Sequence, residues 1–232
     1  MKFPHFFLIA MLSGILTGYG QSQPQVTAGF DIGSGFNKNS IAPSILYHEE
    51  LGLNRLSWLR LALGIRGWGY HAGATNLYAQ NKSADRDTLL YRNVSADGVS
   101  FAIGIDVKIW KIDLGVNTDL AGLSYGSKRS GYYSKNTAIP GEGAAYYNDW
   151  VATSPNIVNV FPLAFSGNSG QSEIYARIWL TRKWGLKIGY SYHRVAYVTK
   201  NNEDKRVYLD HGQRRFSNTY GMPYAAIALP LF

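Results

Sequence analysis

The chain has 232 residues, of which 23 are Lys or Arg and 15 Asp or Glu, giving a formal net charge of +8 with only 16% charged residues. The absence of cysteine excludes a disulfide framework, a thiolate site and a lipid-modified N-terminal cysteine. Its basic residues are spread along the chain instead of gathered with stacking aromatics, which speaks against a nucleic-acid partner, and 25 glycines with 17 tyrosines suit strands and aromatic belts better than a helical enzyme.

The N-terminus carries Lys2, an apolar stretch over residues 6–16 and small residues at Gly18 and Gly20 around Tyr19. This pattern predicts a cleaved signal peptide over residues 1–20, with maturation near Gln21. The apolar stretch is shorter than the roughly 20 residues of a membrane-spanning helix, and no later stretch is continuously apolar for that length. Residues 21–232 contain no charged or Pro/Ser-rich linker, so they read as one domain.

Alternation of apolar and polar residues then marks the strands in turn. Val26, Ala28, Phe30 and Ile32 alternate with Thr27, Gly29, Asp31 and Gly33. A weaker strand covers residues 44–51. In the third, Leu59, Leu61, Leu63 and Ile65 alternate with Arg60, Ala62, Gly64 and Arg66. Phe101, Ile103, Ile105, Val107 and Ile109 oppose Ala102, Gly104, Asp106 and Lys108. After Trp110 and Lys111, the rows Ile112, Leu114, Val116 and Leu120, and Asp113, Gly115, Asn117 and Asp119, complete a hairpin. Ile174, Ala176, Ile178 and Leu180 alternate with Glu173, Tyr175, Arg177 and Trp179. A turn at Arg182 and Lys183 follows, and then Trp184, Leu186, Ile188, Tyr190 and Tyr192 alternate with Gly185, Lys187, Gly189, Ser191 and His193. The last strand, 216–232, is expected with Ile227, Leu229 and Leu231 in the inward phase, and Pro223 and Pro230 each remove a ladder donor.

Short connections at 52–56, 110–111 and 182–183 alternate with long ones at 34–43, 71–98, 126–171 and 199–215. Outer-membrane barrels sort their connections this way, with short periplasmic turns and long outer loops. The prediction is an all-β, antiparallel up-and-down transmembrane barrel of about eight strands, or ten if segments 157–165 and 206–209 pair as well.

In its signal peptide, alternating strands, sorted loops and terminal Phe232, the chain resembles the small outer-membrane barrels of the OmpA and OmpX type. The stretch from Arg55 through Leu56, Ser57, Trp58, Leu59 and Arg60 to Leu61, with Gly67, Trp68, Gly69 and Tyr70 after it, is similar to a family of functionally uncharacterised outer-membrane barrel proteins. The resemblance implies export to the outer membrane of a Gram-negative cell. Outer-membrane lipid and lipopolysaccharide, and the barrel-assembly machinery that reads a terminal aromatic, are the partners it implies.

Inward-phase charges form the first candidate site: Asp31, Arg60, Arg66, Asp106, Lys108, Asp113, Asp119, Glu173, Arg177 and Lys187. An eight-stranded interior is just wide enough to be filled by side chains, so these groups are expected to pair as a salt-bridge core. Phe36, Phe101, Trp184, Tyr192 and Phe232 are expected to form the aromatic girdles. Tyr132, Tyr133, Tyr146, Tyr147 and Trp150 in the longest loop are candidate contacts for an extracellular protein or glycan. The glycines of segment 29–35 lie within a strand, without the helix that a phosphate-binding loop needs. His48, His71 and His211 are too scattered for a metal site, and no cofactor signature is present. A structural or surface-interaction role follows, with two alternatives: a lipid or lipopolysaccharide-acyl hydrolase using Ser191 and His193, although no nucleophile motif surrounds them, or a narrow ion or solute channel.

Overall fold

The structure is a computed structural model that describes residues 26–53, 56–80, 87–135, 143–201, 203 and 205–231. The proposed signal peptide, 1–20, and Phe232 lie outside the described residues. Among the described residues thirteen strands follow one another: β1 Val26–Asn37, β2 Ser40–Leu53, β3 Leu56–Ala72, β4 Thr75–Ala79, β5 Thr88–Tyr91, β6 Val94–Ile109, β7 Ile112–Tyr125, β8 Arg129–Tyr133, β9 Asp149–Pro155, β10 Val158–Val160, β11 Gly170–Trp179, β12 Gly185–Thr199 and β13 Arg215–Pro230. The described residues contain no α-helix, only 3-10 turns at Ala144–Tyr146 and Asp210–Gly212.

All strands belong to one antiparallel sheet, and the eight long ones close on themselves in the order β1, β2, β3, β6, β7, β11, β12, β13 and back to β1. The seam between first and last strand runs from Gly29 opposite Pro230 to Gly35 opposite Tyr224. Alternation explains which side chains face in. On β6, Phe101, Ile103 and Ile105 are exposed on the outside of the ring while Ala102 and Asp106 are buried within it; Ile105 is 46% exposed and its neighbour Asp106 0%.

The last strand lies in the opposite phase to the one expected. Ile227 stands opposite Ile32 and Leu229 opposite Phe30. Directly paired residues share a face, so Ile227, 51% exposed, and Leu229 point outward with their partners. Met222, Tyr224, Ala226 and Ala228 fill the inward positions. The ladder also survives the final proline, because Leu231 N–H donates to Ala28 C=O at 2.8 Å.

The connections differ from the expected ones in a systematic way. At one end of the ring, β6 turns into β7 through Trp110 and Lys111 alone, and β11 into β12 through residues 180–184. At the other end, the connection expected over 34–43 shrinks to Lys38 and Asn39. The remaining three carry secondary structure of their own: β4 and β5, then β8 to β10, then the bridges of Lys200 with Arg206 and Leu209 with Gln213. The sheet therefore has thirteen strands, more than the eight or ten expected, because strands of three to seven residues are too short to show a period. Within segment 157–165 only Val158–Val160 is a strand, paired with Ala121 to Leu123 of β7, and segment 206–209 makes bridges only.

Four of the short strands make a second circuit. β12 pairs with β9, β9 with β8, β8 with β5, β5 with β4 and β4 with β13, which returns to β12. Inside this cap, Leu77, Leu89, Tyr91, Tyr133, Val151 and Phe216 are buried in one apolar cluster that continues down into the ring through Tyr70, Trp68 and Met222.

Closure at the β1–β13 seam gives a direct test. A Cβ on Gly33 would run into Ala225 C=O and Ala226, whereas one on Gly73 would meet nothing closer than Asn39 at 3.7 Å. Gly33→Ala should lower unfolding stability in denaturant titration by about 1–3 kcal/mol, with Gly73→Ala within about 0.5 kcal/mol of the parent.

Candidate functional site

Below the cap, the inward positions of the long strands bring acids and bases together across the ring. Lys187 Nζ on β12 donates to Asp31 Oδ2 on β1 at 2.9 Å and to Glu173 Oε2 on β11 at 2.6 Å. Arg177, two positions beyond Tyr175 on β11, donates through Nη1 to Glu50 Oε1 at 2.6 Å, with Nη2 3.4 Å from Asp31 Oδ2. Arg66 on β3 donates to Asp119 Oδ1 at 2.9 Å and Gln171 C=O at 3.0 Å, and also bonds Asn117. Arg60 Nη1 donates to the second oxygen of Glu50 at 3.0 Å. Tyr175 O–H donates to Asp106 at 2.7 Å and Trp179 Nε1–H to Asp113 at 2.6 Å.

Aromatic rings fill the space between these ions. The Lys187 ammonium lies 3.9 Å from the Tyr175 ring centroid, and the Arg177 guanidinium lies 5.5 Å from Tyr175 and 5.6 Å from Trp179. Gly115 makes room for this arrangement, since a Cβ there would collide with the Asp106 carboxylate and the hydroxyl end of Tyr175. A desolvated charge is tolerated only with partners of this quality. The interior at this level is occupied by paired side chains.

Of the ten inward-phase charges read from the sequence, Asp31, Arg60, Arg66, Asp106, Asp113, Asp119, Glu173, Arg177 and Lys187 are buried here. Lys108 is not; it is exposed where the ring opens at its turn end. His48 and Glu50 are full members that the sequence reading left out, His48 lying 3.2 Å from Glu50 and 3.6 Å from Asp31. The run His48, Glu49, Glu50 is polar at every position, which hides the phase of β2. Glu49 accepts from Tyr47 O–H on the other phase.

Ser191 Oγ and His193 Nε2 are 3.2 Å apart, the spacing of a nucleophile and its base. Both are buried, however, and His193 Nδ1 has no hydrogen-bond partner, so no carboxylate orients the imidazole. The pair packs against Tyr70 inside the ring. No group of three His, Asp or Glu side chains that could hold a metal occurs among the described residues.

The loop aromatics split between two faces. Tyr133 is buried in the cap and its ring lies 5.8 Å from Tyr147, whose hydroxyl donates to Asp210 Oδ2 at 2.7 Å. Tyr146 packs against the same cluster. These three are cap structure and not an exposed contact surface. Trp150, 44% exposed, is the one that faces outward, with Tyr132 packed edge-on against it and the Arg92 guanidinium 5.1 Å from its ring centroid. Of the girdle residues, Phe36, Phe101, Trp184 and Tyr192 are all exposed on the outside of the ring.

A second ionic cluster ties the cap. Lys135 Nζ lies 2.5 Å from Asp87 Oδ1 and 3.1 Å from Asp210 Oδ2. Burial works against both charges, but the hydrogen bonds from Tyr147 and Lys135 outweigh it and hold Asp210 below the ordinary aspartate value. The two carboxylates likewise outweigh burial at Lys135 and raise its ammonium above the ordinary lysine value.

Comparison with models of known protein families finds no match for the chain, and comparison with curated proteins finds none either.

Removing Lys187 leaves Asp31 and Glu173 facing each other in a desolvated interior. Lys187→Met should cost about 3–5 kcal/mol in denaturant titration, and adding Asp31→Asn should restore part of that loss, a non-additivity readable in a double-mutant cycle. In the cap, a depressed Asp210 contributes stability above its unfolded value and loses it as pH falls through the lower folded value. Hydrogen exchange at Val207 and Leu209 should therefore stay slow through the ordinary carboxylate range near pH 4 and rise only below it. Lys135→Met should raise exchange there at neutral pH.

Proposed function

We propose that the ring is a transmembrane β-barrel of a bacterial outer membrane, with residues 1–20 as its export signal. Its sealed interior stabilises the fold, and its capped end is presented outside the cell. The observation that carries this reading is the inversion of polarity across the wall: Ile103, Ile105, Leu114, Val116, Ile174, Ile188 and Ile227 are exposed outside, while ion pairs are buried inside. A closed sheet in water would need the reverse. In hydrocarbon this arrangement satisfies every backbone group in the ladder and buries the charges away from lipid.

Further features agree with it. The long strands run for ten to seventeen residues, at or above the roughly 9–11 that cross a bilayer obliquely. The three elaborated connections share one end with the short turn at Lys38 and Asn39, and the opposite end has only short connections, which supports placing the cap outside and the opposite end in the periplasm. The exposed Phe36, Phe101, Trp184 and Tyr192 suit contact with membrane lipid and lipopolysaccharide. Trp150 and Arg92 are the residues of the cap best placed to meet an extracellular glycan or protein. The role is structural or adhesive, with a closed lumen in place of a conducting one.

The protein should require detergent to remain folded, give a strand-dominated circular dichroism spectrum, and migrate differently on a gel before and after boiling. In planar bilayers it should be electrically silent. A folded, monodisperse protein in plain buffer would overturn the membrane reading, and stepwise conductance would overturn the sealed lumen.

A further inference from the structure

At the turn end of the ring the interior opens into a cavity of about 520 Å³, within the range of small-molecule sites. Its floor is the lower edge of the ion network, formed by His48, Glu50 and Arg60. Glu50, the only carboxylate among the described lining residues, already accepts from Arg60 and from Arg177. Three further cations, Lys108, Lys111 and Arg182, line the same void and are exposed. Among the described residues none of the three makes an ion pair, and three cations stand together at the mouth.

Two indoles complete it. Trp179 stands half-buried in the wall, and Trp110 is 82% exposed at the β6–β7 turn. Trp110 has φ of 58°, a left-handed conformation that glycine or asparagine adopts more cheaply at such a turn. A strained turn that keeps a large aromatic side chain points to a use for that side chain. The Lys111 ammonium lies 5.1 Å from the Trp110 ring centroid, so the indole also holds one of the cations beside the opening. Leu180 and Leu229, which belong to the apolar outer surface, form part of the same lining.

We infer that this mouth is a binding site for a phosphate ester, with its oxygens between Lys108, Lys111 and Arg182 and its carbon body against Trp110 and Trp179. Three cations around one void match a group with several acceptor oxygens and up to two negative charges better than a carboxylate, and the arginine fork suits bidentate contact with phosphate. The inner-leaflet phospholipid headgroup and a soluble phosphate monoester share this chemistry. The inference rests on the membrane reading only for the source of the ligand, since the cavity and its charges do not depend on it.

Calorimetric titration of the detergent-folded protein, in a phosphate-free maltoside, would use glycerol 1-phosphate in one arm and dihexanoylphosphatidylglycerol in the other. Saturable one-to-one binding is expected, weakened at least tenfold in the triple variant Lys108→Ala, Lys111→Ala, Arg182→Ala and unchanged in Lys205→Ala, an exposed cation at the far end. These three side chains are exposed, and an unaltered circular dichroism spectrum would establish that the variant folds. Binding of the lipid alone would assign the ligand to the membrane; binding of glycerol phosphate alone would assign it to solution; binding of both would assign the phosphate itself as the determinant. Absence of saturable binding in both arms, or equal binding by the triple variant, would overturn the site. Were the protein folded without detergent, the membrane reading would fail while the glycerol phosphate titration still tested the mouth.

Discussion

The structure depends on the pairing of charge inside a closed sheet. Lys187 joins β12 to β1 and β11, Arg177 joins β11 to β1 and β2, and Arg66 joins β3 to β7 and β11. Apart from the Lys187–Glu173 pair between neighbouring β12 and β11, these links fasten strands that the backbone ladder does not make neighbours. They also specify register. A one-residue slip of a strand that bears these ions would carry its charges to the outside and its aliphatic row to the inside, at a penalty on both faces. The ladder and the ion pairs therefore require the same alignment, although the ladder alone would tolerate others.

Charge confined to one level leaves the other end of the ring with a different solution. Above Arg66 and Asp119 the inward positions pass to Trp68, Tyr70 and Met222 and then to the aliphatic and tyrosine side chains of the cap. The cap is built as a protein in water is built, apolar inside, with an ionic cluster at Lys135, Asp87 and Asp210. Two packing regimes thus occupy one continuous sheet, and the strands β12 and β13 belong to both. Closure of the lower ring pairs residues about 200 positions apart at the β1–β13 seam, so that step comes late in any folding order governed by loop entropy.

Much of this was legible from the sequence, for a physical reason. A wall with apolar exposure on one side and ions on the other must alternate, and β1, β3, β6, β7, β11 and β12 do so along the level of the ion network. Legibility failed where alternation carries less information. In β2 the consecutive His48, Glu49 and Glu50 include residues of both faces, because Tyr47 provides Glu49 with a hydrogen bond outside the main interior row. In β13 the inward row is Ala226 and Ala228, small residues that fit beneath the long side chains of neighbouring strands, so the sequence shows apolar residues in both phases. β4 with β5 and β8 with β9 pair locally, but they join the ring only through β13, β12 and each other, far along the chain, and the burial of Tyr133 follows from that closure. Neither is encoded in a local period.

Lys108 shows how the same rule yields two outcomes. It continues the inward row of Gly104 and Asp106, and by phase alone it belongs with Arg60 and Lys187. Asp106 lies where walls on all sides exclude water and carries its partner Tyr175. Two residues further on, the strands end at the turn of Trp110 and Lys111, the interior widens, and Lys108 is solvated. Desolvation, which compels pairing one step higher, no longer acts on it. Among the described residues Lys108 has no ion-pair partner and stands with Lys111 and Arg182 around one void, so the inferred anion site lies at the lower opening and not in the paired network above it.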